Sequence, residues 1–236
     1  MGDADPAAQV RAAAVWSLGI FRANLMAFIV LAALVAAVQF LQQVSLRPLS
    51  EIVNQCADPQ TPGQQAACAS ALTNRLLTSG ALTLAFAIVG FVVTVGVIRA
   101  ALRATRGIEP GFDALLDGHN LGRYLVFQFV YAFLVGLGAL LCLLPGLLVI
   151  FFFQLGPYYV LDRGLGVKEG LVASASAVRR GLSSNAPAIL LMTALNAFVL
   201  VLGGLFFGLL TLVTLPLATL FTAYLYRLFN DEPVLG

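Results

Sequence analysis

The chain has 236 residues, 60% of them hydrophobic and only 10% charged, with a mean hydropathy of +0.95. Soluble domains carry about 25% charged residues, so a water-soluble fold this poor in charge could not cover its own surface, and lipid must solvate much of it. A net charge of +2 is too small to argue for a nucleic-acid partner, and three cysteines with one histidine leave little material for a metal or haem centre.

The N-terminus carries Asp3 and Asp5 where a signal peptide needs positive charge, and Pro6 where a myristoylation signal needs Ser or Thr. The first transmembrane helix is therefore expected to act as an uncleaved insertion signal. Residues 7–24 read as an amphipathic surface helix, or as the lead-in to span one. Val10, Ala14, Leu18 and Phe21 share an apolar side there, and Arg11 and Arg22 reach toward headgroups. Residues 25–44 then form a charge-free span long enough for the ~30 Å hydrocarbon core.

Residues 45–75 are the one polar excursion on the far side. Pro59, Pro62 and Gly63 place a turn between Cys56 and Cys68, and the pair is a candidate disulfide. Closing such a loop stabilises by ~3 kcal/mol in the chain-entropy treatment, and disulfides persist mainly outside the cytosol. Span two covers 76–102 and leaves through Arg99, Arg103 and Arg106. A short surface helix follows, with Phe112, Leu115 and Leu116 interleaved with Asp113 and Asp117.

Span three is 124–144. Pro145-Gly146 is expected to turn the chain directly into span four, 147–161, which is short for a full crossing. That shortness places Tyr158 and Tyr159 at the interface. A surface helix over 167–180 with Leu171, Ala175 and Val178 on one face precedes span five, 186–207. Span six, 209–229, closes a third hairpin near Gly203, Gly204 and Gly208. A glycine and an asparagine stand before each hairpin: Gly19 with Asn24, Gly118 with Asn120, Gly181 with Asn185. These hint at three repeats of surface helix plus two-span hairpin.

Of the 13 basic residues, only Arg47 and Arg75 fall on the far side. By the positive-inside rule both termini are cytoplasmic, and the loop 45–75 lies outside a bacterial inner membrane. The cysteine pair points the same way.

Enzyme signatures are absent. No phosphate-cradling glycine loop, HExxH or nucleophile elbow occurs. His119 reads as a helix-terminating polar residue, and Cys142 as a small hydrophobe within span three. No span carries an ionisable group at its centre, which disfavours ion-coupled transport. The remaining polar groups in the spans are neutral: Gln128, Tyr131, Gln154, Thr193, Asn196, Thr211 and Thr214. They either join helices by hydrogen bonds or line a polar cavity, for which Gln128, Gln154 and Asn196 are the candidates. At the near side Asp162, Arg163, Lys168, Arg179 and Arg180 are candidate lipid-headgroup contacts, unless Asp162 and Arg163 merely anchor the span end.

The stretch LPG, then PYYVLDRGLGVKEGL, then ASASAVRRGL resembles the membrane domain of bacterial glycerophosphodiester phosphodiesterases. It also resembles stand-alone YciC-like families of uncharacterised six-helix membrane proteins. Pro145, Gly146, Asp162, Glu169, Leu171, Ser174, Arg180 and Gly181 carry the likeness; Gly170 and Ala175 depart from it. The resemblance implies the six-helix fold and transfers no catalytic residue, because the phosphodiesterase chemistry belongs to a separate domain.

The expectation is an all-α polytopic integral membrane protein of about six transmembrane helices in three hairpins, with cytoplasmic amphipathic surface helices. Its first reading is a non-enzymatic accessory or scaffold component without cofactor, whose partners are membrane lipids and other membrane proteins, not nucleic acid. Its alternative is a transporter or binder of a lipid or small neutral solute. That alternative requires Gln128, Gln154 and Asn196 to meet on one cavity.

Overall fold

The computed structural model describes residues 5–57, 62–111, 113–141, 143–204 and 210–235. They form helices α1 (Pro6–Ala23), α2 (Leu25–Gln55), α3 (Pro62–Ala104), α4 (Asp113–Leu116), α5 (Leu121–Leu141), α6 (Leu143–Phe153), α7 (Gly156–Arg163), α8 (Val167–Gly204) and α9 (Thr211–Leu228). Six helical stretches are long and apolar enough to cross a membrane, α6 and α7 together forming one of them. The protein is a polytopic all-α membrane protein.

The expected far-side loop is mostly helix. α2 continues to Gln55 and α3 begins at Pro62. At 1.5 Å per residue both exceed the ~30 Å core, so their polar ends project beyond it. Cys56 and Cys68 form a disulfide with their Cα atoms 5.8 Å apart, joining the two projections. The turn residue Pro59 lies outside the described residues, as do Phe112, Cys142 and Gly208.

The turn between spans three and four is not at Pro145-Gly146. Both residues sit in the first turn of α6, where a proline loses no helix hydrogen bond. Gly146 instead packs on α5: a Cβ on Gly138 would lie 2.7 Å from the Gly146 nitrogen. In one continuous helix those residues would be ~12 Å apart, so the chain reverses between them, and only glycine permits the approach.

Span four itself is broken. After Phe153 the helix stops and restarts at Gly156, ahead of Pro157. The fully buried Ser174 of α8 spans the break, its hydroxyl donating to the Phe152 carbonyl at 2.9 Å and accepting from the Leu155 N–H at 3.1 Å. The restart carries the Tyr pair inward. Tyr158 and Tyr159 are buried within the protein and are not interfacial anchors, their hydroxyls reaching Thr219 O and Asn230 Oδ1.

Two other faces differ from the periodicity reading. α1 packs on α8 and α9 through Ala13, Ser17 and Phe21, leaving Leu18 outward. The inner face of α8 runs Gly170, Ser174, Ala177, Val178 and Gly181, not Leu171, Ala175 and Val178 alone. The three asparagines each mark a junction between surface segment and span: Asn24 (φ −118°), Asn120 (φ 57°) and Asn185 (φ −152°) all leave helical geometry. Asn185 accepts from the Ala188 N–H, capping the span, and its amide donates to Pro6 O and Gln9 Oε1 of α1.

α9 is the central post. Of its apolar window 61% is buried, against 17–33% for the other spans, and it contacts α1, α2, α3 and α8. The core around it includes Phe28, Leu31, Val97, Ile189, Leu225 and Tyr226.

Candidate functional site

Two polar groupings stand out, one at the end of the bundle and one within it. The end grouping is built where α3, α7 and α9 finish. α7 terminates at Gly164, whose φ of 64° is left-handed and whose Cβ, if present, would meet Asn120 Oδ1 at 2.8 Å. This stop leaves Asp162 and Arg163 in the last turn. α8 then opens with Gly166 donating its N–H to Glu169 at 3.0 Å, half of a capping box.

Asp162 has its carboxylate taken up by partners within the protein. Its side chain is 4% exposed, and its carboxylate accepts from Arg106 at 2.5 Å, from Arg227 at 3.0 Å and from the Tyr226 hydroxyl at 3.1 Å. Arg227, 6% exposed, also donates to Thr105 Oγ1 at 3.1 Å and to Glu232. Arg163 pairs with Glu232 at 2.6 Å and lies over the Tyr159 and Tyr226 rings at 5.4 and 5.8 Å. The tail is thereby stitched down, with the Leu235 N–H donating to Thr105 O.

Burial alone would raise the Glu232 carboxyl, but the Arg227 hydrogen bond and the charges of Arg227 and Arg163 hold it below its ordinary value of 4.5. Lys168, Arg179 and Arg180, the rest of the proposed headgroup set, are exposed on α8.

Arg99, counted with the exit charges, is buried at 6% exposure and donates to the His119 carbonyl. The His119 N–H donates to Asp117 Oδ1 at 2.9 Å, which holds that carboxyl below its ordinary range, helped by Arg99 and Arg103. The His119 ring itself is exposed.

The inner grouping is neutral. Gln128, Gln154 and Asn196 line one cavity of about 1010 Å³ between α5, α6, α7 and α8, together with Tyr131, Tyr158 and Thr193 and otherwise apolar residues. Gln154 Nε2 donates to Thr193 Oγ1 at 2.9 Å, and Asn196 Nδ2 lies 3.4 Å from both Gln154 Oε1 and Thr222 Oγ1. Gln128 and the Tyr131 hydroxyl make no hydrogen bond among the described residues. Gln128 lies roughly 10 Å into α5 and Asn196 roughly 16 Å beyond the Asn185 break, so these amides lie well inside the apolar stretches and away from their ends.

A second apolar groove of about 760 Å³ between α3 and α5 shares Gln128 and Ala132 with this cavity. Among the described residues no three His, Cys, Asp or Glu are grouped as metal ligands.

The tail's part in the end grouping was not legible from sequence: Arg106, Arg227 and Glu232 are far from Asp162 along the chain, and only an acidic pair closely following a basic helix end hints at it. The meeting of Gln128, Gln154 and Asn196 was posed from sequence, and the structure brings the three together.

No family model matches the chain, and no solved structure matches it. A relative from Sodalis glossinidius (strain morsitans), UPF0259 membrane protein SG1383, is 30% identical over 237 residues, covering 90% of this chain and 93% of the relative. At that identity over almost the whole of both chains, the protein belongs to the UPF0259 membrane protein family.

Proposed function

We propose that the protein binds an amphiphile of the bilayer in its mid-membrane cavity, holding a neutral oxygen-bearing group such as an ester, hydroxyl or ketone carbonyl. The observation that carries this reading is the convergence of Gln128, Gln154 and Asn196 on one largely apolar cavity. Amides with unfilled hydrogen-bonding capacity are costly in hydrocarbon, and a neutral ligand supplies the partners without the cost of a buried charge. The cavity's size suits a lipid chain or a small neutral solute.

The accessory or scaffold reading has less support. It needs glycine faces open to a partner; Gly80, Gly122 and Gly136 are open, but side chains or backbone of the same chain lie against Gly90, Gly96, Gly138 and Gly146. The orientation belongs to the proposal too: basic residues and both termini on the cytoplasmic side, the Cys56–Cys68 bridge outside. Labelling of the reduced cysteines from the cytoplasmic side would overturn it. So does kinship with the phosphodiesterase membrane domains, in which Ser174, Glu169 and Asp162 would serve the structural roles seen here.

The test is lipid identification on protein purified in mild detergent. The native chain is expected to retain a defined lipid or lipid-soluble class that a Gln154→Leu, Asn196→Leu double variant loses while staying folded. Equal retention by both proteins would remove the cavity reading.

A further inference from the structure

We infer a second, separate site at the basic end of the bundle, which takes the phosphate headgroup of an anionic glycerophospholipid and lays one acyl chain along the α3–α5 groove. Two cavities meet there. The first, of about 500 Å³, is lined by residues 118–123 of the α5 lead-in and by Asp162, Arg163 and Gly164. The second is the apolar α3–α5 groove, lined by Phe91, Val92, Leu125, Phe129 and Phe133 among others. Leu121 and Gly122 belong to both linings, so a polar mouth leads directly into an apolar channel. That is the shape of one phospholipid.

Charge selects the headgroup. Among the described residues the one carboxylate lining the mouth, Asp162, is already held by Arg106 and Arg227. Glu232 is held by Arg163 and Arg227, and Glu169 caps its own helix. Asp117 faces Arg103 and Arg99. Counting each group once, Arg99, Arg103, Arg106, Arg123, Arg163 and Arg227 face these four carboxylates, and Arg123 in the lining is the one with no carboxylate partner among the described residues. The balance is positive. Arg123 spends one nitrogen on Gly164 O and keeps the rest of its fork, a geometry matched to phosphate. The exposed His119 ring, without a side-chain hydrogen bond among the described residues, stands on the same rim. Basic pockets between transmembrane helices at the cytoplasmic side are recurrent phospholipid sites. The mouth shares no residue with the mid-membrane cavity; only the far end of the groove touches it, through Gln128 and Ala132.

The experiment uses the full chain in nanodiscs holding equal amounts of phosphatidylglycerol and phosphatidylcholine, with the lipids retained on release read by native mass spectrometry. Phosphatidylglycerol is expected to be retained preferentially, and Arg123→Gln to cut that preference about five-fold, the equivalent of ~1 kcal/mol per basic residue at a headgroup. His119→Ala, at an exposed position, tests the same rim should Arg123→Gln fold poorly. Leu125→Trp, which narrows the groove without touching charge, is expected to lower retention of both lipids. Arg22→Gln on α1 is expected to change nothing.

An equal loss in Arg22→Gln would mean diffuse surface attraction and overturn the site. So would an unchanged preference in both Arg123→Gln and His119→Ala, or soluble glycerol phosphate binding as tightly as the whole lipid. Loss of neutral ligand in the Gln154, Asn196 variant with this preference intact separates the two sites.

Discussion

The two polar groupings of this bundle are opposites. At the basic end, Asp162, Arg106, Arg227, Arg163 and Glu232 are ionised groups that satisfy one another, with Thr105, Tyr226 and Asn230 filling remaining valences. In the membrane interior, Gln128, Tyr131, Gln154 and Asn196 are neutral, and part of their capacity is unused. Charge is tolerated where headgroups and water can screen its rim, whereas the hydrocarbon centre admits only uncharged dipoles. A closed network fixes structure; an open one has capacity left for a ligand. Ser174 stands between them, holding the break that turns α7 toward the knot and leaves Gln154 at the cavity.

The contrast can be broken in several ways. Asp162→Ala takes from the buried Arg227 guanidinium one of its two carboxylate partners, Glu232 remaining, and is expected to cost ~3 kcal/mol, the low end for breaking a buried ion pair, read as a large loss of thermal stability in detergent. Replacing both partners by neutral residues of similar size should recover most of it; failure to recover would show that the knot is more than a charge pair. Ser174→Ala leaves the buried Leu155 N–H without its side-chain partner, at ~1–3 kcal/mol, and is also expected to disturb ligand retention at the adjacent cavity.

Gln154→Leu should change stability by only ~0.6 kcal/mol, the mean for hydrogen bonds between membrane helices, while ligand retention falls. A stability loss as large as that of Asp162→Ala would erase the distinction between the groupings. The smallest effect concerns the tail. Because the Glu232 carboxyl is held below its ordinary value of 4.5, its contribution is present above that pH and is lost as pH falls through the lowered value. Protease accessibility of the tail should rise over that acid range, and Glu232→Gln should show the raised accessibility already at neutral pH.

Much of the fold was legible because hydropathy is a local signal. Six apolar stretches, the surface segments between them and the cysteines flanking the far turn could be read one window at a time. Inner faces were not. In a soluble helix the apolar stripe marks the core, but in α1 outward and core-facing positions are equally apolar, so Leu18 looked as inward as Phe21, and in α8 the small residues Gly170, Ser174 and Gly181 gave no apolar signal beside Leu171 and Val178. Small residues mark contacts in lipid better than large ones do, and Gly138, Gly146, Gly170 and Ser174 bear that out. The Tyr pair misled for a related reason: aromatic residues beside charge at a helix end describe both a membrane interface and a buried cation–π knot.

The sequence by itself determined the solvent, the helical class and the six candidate spans, because only a helix can carry its backbone through lipid and ~20 apolar residues suffice to cross. It also marked the junctions with Asn24, Asn120 and Asn185, of which Asn120 takes the left-handed conformation that asparagine tolerates and Asn185 is held in addition by α1. The tertiary structure alone decided which polar groups became partners. Asp162 meets Arg106, Arg227 and Tyr226 only after α3, α7 and α9 pack together, and the three amides share a cavity only because span four breaks at Gln154 and is held there by a serine from α8. Between helices whose surfaces are as apolar as the lipid around them, the rotation of each helix is set by close packing and hydrogen bonds, which no single window of sequence contains.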